Sequence, residues 1–234
     1  MDAGALPRRE RALILAALAG LTGLCWLYLL SMPPMAMGAV LMFLMWWVMM
    51  IGMMLPSAAP MTLTFATVNR RRRELGTPYV PTVLFVGGYL LAWAAFSLAA
   101  TAAQWALEDS VSPLLGGVLF VAAGLYQLTP LKHACLRRCR SPLAFVLEHW
   151  HEGRAGALRM GAEHGAYCLG CCAFLMALLF VGGAMNLLWA AAIAAWVLAE
   201  KLLPAGAALA RAAGVIAILF GVWMMASFLM MGKA

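Results

Sequence analysis

The stretch EHGAYCLGCCAF, Glu163 to Phe174, holds His164, Cys168, Cys171 and Cys172. A helix turns about 100° per residue, so steps of four, seven and eight from His164 return to one narrow face. Thiols and an imidazole gathered on one arc are donors that bind soft or borderline metal ions. Singly, each also suits plain packing, since cysteine is a small residue at home in interiors and histidine can sit hydrogen-bonded in a core. Together they predict a metal site carried by one helix.

A second set of soft donors lies in MFLMWWVMMIGMMLPSAAPM, Met42 to Met61. Met42, Met45, Met49 and Met53 form one stripe at helical spacing, and Met50, Met54 and Met61 form another about a quarter-turn round. Flexible core filling explains such a stripe by itself, but thioethers, like thiolates, also suit Cu(I). Beside the cysteines the stripe points to copper, or another soft metal, with Met49 and Met53 supplementing Cys168, Cys171 and Cys172. Pro56 and Pro60 each remove a backbone donor from this helix. The carbonyls they free need partners inside the protein, and Ser57 is placed to help.

Two more thiols, Cys135 and Cys139, stand near His133 in YQLTPLKHACLRRCRSP, among Lys132, Arg137, Arg138 and Arg140. Their spacing is not a zinc-finger framework. It suits an exposed site where metal enters, a reducible dithiol, or two ordinary cysteines in a basic loop. Cys25 is alone and reads as filler.

The elements that must position these groups are membrane helices. The chain is 65% hydrophobic and 11% charged, with mean hydropathy +0.92, far from a soluble domain. Seven apolar runs approach the roughly 20 residues that a span requires: about 11–31, 38–68, 79–107, 113–131, 160–184, 186–203 and 207–231. The predicted fold is all-α, a single polytopic membrane bundle over residues 1–234, and the sixth run is the shortest and ends at Glu200 and Lys201. The first run is longer than a signal peptide and reads as a retained helix. Basic residues gather in PRRER, in NRRRRELG and in the segment from KHACLRRCR to EGRAGALR, all on one side of a seven-span chain. The positive-inside rule makes that side cytoplasmic, with the amino terminus and loops about 69–78 and 132–159 inside. The net charge of +7 follows from that rule and from anionic lipid, so the expected partner is the lipid bilayer and not nucleic acid.

Depth brings the two sulfur sets together. At about 1.5 Å per residue, Cys168 to Cys172 fall roughly 12 to 18 Å into span five from the cytoplasm, and Met49 to Met53 roughly 17 to 22 Å into span two from outside. Both levels lie near the middle of a core about 30 Å thick. An unpaired thiolate there is costly, and a shared Cu(I) supplies its counter-charge, with His164 as an entry or supporting group.

The blocks MWWVMMIGMMLPSAAPM, GYLLAWAAFS, YQLTPLK with CLRRCRSP, and GAYCLGCCAFLMALLFVGGAMNLLWAA followed by EK resemble the landmarks of the bacterial predicted metal-binding integral membrane proteins, the DUF2182 family. The resemblance covers about residues 37–202 and implies metal binding in a bacterial inner membrane without naming a metal or a reaction. No catalytic triad, phosphate loop or His-Glu-x-x-His motif occurs, so no enzymatic activity is predicted. Three functions remain open: a copper protein that carries, stores or inserts the ion, working with a membrane metalloenzyme or a cytosolic or periplasmic carrier; an accessory subunit of a larger complex; and a membrane thiol redox protein. The last is disfavoured because adjacent cysteines on a helix are poorly placed to pair with each other.

Overall fold

The computed structural model describes residues 6–32, 38–106, 112–183 and 185–231, and among them the chain forms ten helical segments. These are α1 (Arg8–Ser31), α2 (Ala39–Glu74), α3 (Thr82–Ala106), α4 (Pro113–Leu128), α5 (Pro130–Arg140), α6 (Pro142–Glu148), α7 (Gly153–Ala177), α8 (Leu179–Gly182), α9 (Leu187–Leu202) and α10 (Gly206–Met231). Five are long and apolar enough to cross a membrane: α1, α2, α3, α7 with its continuation α8, and α10. The arginine-free connections on the opposite side lie largely outside the described residues, at 33–37, 107–111 and 184.

The fourth and sixth apolar runs depart from simple spans for local reasons. Pro130 has no N–H and holds Thr129 in an extended conformation, ψ 149°, so the chain bends by 65° between α4 and α5. The Thr129 hydroxyl then accepts from the Lys132 amide and starts α5 afresh. The sixth run gives only the 16 residues of α9, capped by Asn186 and stopped where Leu203 turns extended ahead of Pro204. Nor is the connection over 132–159 an open loop. It is filled by α5, α6 and the first turns of α7, which fold back against the bundle.

Within α2 the prolines do not end the helix, which runs through all 36 residues. The carbonyl that Pro56 frees, that of Gly52, accepts from the Trp26 indole at 3.3 Å. Ser57 donates to the Met54 carbonyl at 2.8 Å. The carbonyl freed by Pro56 thus finds its partner inside the protein, as a chain in lipid must.

The helix pair that matters most for the site is α3 against α7. At Gly88 a side-chain carbon would collide with the Leu158 carbonyl, and at Gly161 with the Phe85 carbonyl. Glycine at both positions lets the two backbones touch, the close packing that small residues permit between apolar helices. That contact places Tyr89 of α3 directly over the cysteine face of α7. We expect Gly161→Leu to cost about 1–3 kcal/mol or more through forced separation, whereas Gly20→Leu, with nothing within 4 Å, is close to neutral. Thermal unfolding of the detergent-purified variants checks this, and equal melting of the two would contradict it.

Candidate metal centre

Cys168, Cys171 and Cys172 are buried, with exposures of 0%, 1% and 1%, and their sulfurs lie within 4.8 Å of one another. Three sulfurs each about 2.3 Å from a shared ion sit roughly 4 Å apart, so the trio needs only a small contraction to close on a metal. Helical spacing makes this possible: steps of three and four residues from 168 return close to the same face, and the Cys171 and Cys172 thiols both donate to the Cys168 carbonyl, at 3.1 and 2.8 Å.

Two further sulfurs flank the trio at the same scale. Met54 of α2 has its sulfur 3.9 Å from Cys172, and Cys139 of α5 has its sulfur 3.9 Å from Cys171. The methionine that meets the thiols therefore belongs to the second stripe. Met49 and Met53 are buried, at 0% and 2%, in the same core as the cysteines. Cys139 changes the picture of the basic segment: the bend at Thr129 carries α5 back onto α7, so the pair Cys135 and Cys139 packs against the main site instead of standing apart as an exposed one. Cys135 is half-buried and abuts α7 at Gly170, where Tyr126 also donates to the carbonyl. Cys25 is buried in a separate apolar cluster, against Gly52 of α2.

His164 is buried as well, but in an aromatic box. Its ring stacks on Tyr89 and Phe85, with centroids at 5.4 and 6.1 Å, and meets the edge of Phe145 at 5.5 Å. Its Nδ1 has no hydrogen-bond partner among the described residues. The histidine is not one of the converging trio. It reaches the sulfurs through Tyr89, whose hydroxyl lies 3.2 Å from Cys168 and 3.1 Å from the Met54 carbonyl.

The polar groups around the sulfurs were not evident from the motifs. Lys201 of α9 donates to Cys168 at 2.8 Å and to the Ser57 hydroxyl at 3.0 Å. Its neighbour Glu200 faces the other way, pairing with Lys132 at 2.7 Å and accepting from Gln127 and Trp196 at 2.7 and 2.8 Å. Arg140 donates to the backbone carbonyls of Glu200 and Pro204. One buried cluster thus ties α4, α5 and α9 together beside the sulfurs. The signal for it was present in the dipeptide Glu200-Lys201 at the end of an apolar run, because ionisable residues in such a setting need a partner; which partner each takes depends on the fold.

A family model described as PpoB2, copper chaperone, matches residues 43–224. No curated protein and no solved structure matches the chain. The matched segment contains every sulfur and every polar group of the site. For the ion pair beside it, we expect Glu200→Met or Lys132→Met alone to cost about 3–5 kcal/mol, because each strands a buried charge, and the double variant to recover much of the loss. Additive losses in thermal or denaturant unfolding would show that the two side chains are not coupled.

Proposed function

The chain belongs to the PpoB2 copper chaperone family, and on that premise we propose that it carries copper as Cu(I) on Cys168, Cys171 and Cys172. The observation that supports this most directly is the convergence of three buried thiols to within 4.8 Å, with no carboxylate or imidazole in the group. An all-sulfur set suits a soft ion of low coordination number and offers little to a hard one.

A chaperone must also let go. Met54 and Cys139 each stand 3.9 Å from a different member of the trio, so a bound ion can gain a new sulfur before losing an old one. Cys139 is the more exposed of the two and lies on the arginine-bearing segment. We assign it, with Cys135 beside it, to the exchange of ions with a cytosolic carrier. His164 lines the approach to the trio, and Met49 and Met53 back Met54 in the methionine core. In this reading the protein sits in a bacterial inner membrane with its amino terminus inside, and it passes copper toward a membrane metalloenzyme or a periplasmic carrier.

Purified, reduced protein titrated with Cu(I) against a chromogenic chelator should hold about one ion per chain. Cys168→Ala with Cys171→Ala and Cys172→Ala should abolish that binding, while Cys25→Ala retains it. Wild-type protein that yields its copper as readily as the triple variant does would contradict the assignment.

The flanking sulfurs have separate signatures. Met54→Leu should weaken the hold by about tenfold, the scale of a supporting group around a metal. Cys139→Ser should leave stoichiometry intact and slow transfer to the chelator. An unchanged transfer rate in Cys139→Ser would remove the exchange role.

A further inference from the structure

Thiolate ligands suit Zn(II) as well as Cu(I), so three cysteines alone do not choose between a singly and a doubly charged ion. The charges nearest the sulfurs do. Of the two lysines buried beside the site, Lys132 is matched by Glu200 at 2.7 Å. Lys201, 7% exposed, has its ammonium on Cys168 and Ser57. Among the described residues no carboxylate lies within ion-pair reach of Lys201; Glu200, the adjacent residue, is committed to Lys132, Gln127 and Trp196. The helix end that carries Lys201 is held in place by Arg140, which donates to the carbonyls of Glu200 and Pro204.

We propose that Lys201 is a resident positive charge in the sulfur site that selects cargo by charge, admitting a monovalent soft ion and repelling a divalent one. The inference rests on the thiols being the cargo site. The thiolates attract either ion, but Lys201 places one positive charge beside them and so repels a monovalent ion once and a divalent ion twice. The difference of one unit acts among buried groups, where screening is weak. For unit charges about 4 Å apart at the effective permittivity of a protein interior, the extra repulsion corresponds to roughly a several-hundredfold loss in binding constant. The ammonium also donates to Ser57, which keeps the charge beside Cys168 while the thiols turn to the ion.

The test uses the full-length protein in detergent under reducing conditions, titrated with Ag(I) as a monovalent probe and Cd(II) as a divalent one. Lys201→Met should raise Cd(II) affinity by a hundredfold or more, followed by the ultraviolet absorption of the metal–thiolate bond, and should change Ag(I) affinity far less. Lys201→Arg keeps the charge and should behave as wild type. Lys201→Gln, which retains a polar reach toward Ser57, provides the same comparison if the Met variant is not recovered folded. Unchanged Cd(II) affinity in either neutral variant, with Ag(I) still bound, overturns the charge filter and leaves the copper reading intact. Wild-type protein that binds neither Ag(I) nor Cu(I) overturns the copper reading, and this inference with it.

Discussion

Two lysine ammonium groups are buried in a bundle of apolar helices, and the chain must supply a partner for each. An uncompensated charge in such surroundings is worth several kcal/mol of instability. Lys132 is answered by Glu200, and Lys201 by the sulfur of Cys168 together with Ser57. These pairings fix more than charge. The first locks α5 to α9, and the second locks α9 to both α2 and α7, so the four helices that border the sulfur group are joined through buried polar contacts. The site is therefore held from its periphery, with the cysteines themselves free of disulfides and available for chemistry.

Around this frame the sulfurs are arranged in series. Half-buried Cys135 and Cys139 lie on α5, Cys171 follows, then Cys168 and Cys172, and Met54 closes the row on α2. Burial rises from the half-buried pair on α5 to the three buried cysteines, and the donor changes from thiol to thioether at Met54. Close backbone contact between α3 and α7 brings Tyr89 onto Cys168, and the bend at Thr129 brings Cys139 onto Cys171. A glycine pair and a proline, neither with any affinity for metal, thus complete the geometry.

The cysteine face of α7 was legible because helical periodicity alone puts 168, 171 and 172 together, and the helical membrane architecture followed from hydropathy. Choosing among methionines was not. Met49, Met53 and Met54 differ by less than a turn and a half, and only the rotation of α2 about its axis, set by Trp26 on the Gly52 carbonyl and Tyr89 on the Met54 carbonyl, decides which sulfur faces α7. The place of Cys139 stays open in the sequence, between an exposed entry site, a dithiol and ordinary packing, because a basic loop carries no sign of folding back; the bend that returns it is encoded by Thr129-Pro130, a break that says where a helix stops and not which way the next one goes. Lys201 was visible as an odd charge at the end of an apolar run, but its partner lies 33 residues away in sequence, a pairing that spacing cannot supply.

The central claim is that cargo sits among sulfurs and nowhere else. X-ray absorption at the copper edge of the copper-loaded, full-length protein tests it most directly. The expected result is an edge characteristic of Cu(I) with a single shell of about three sulfur neighbours near 2.3 Å, a distance typical of metal–thiolate bonds. A shell dominated by nitrogen or oxygen, or an edge characteristic of Cu(II), would contradict the account.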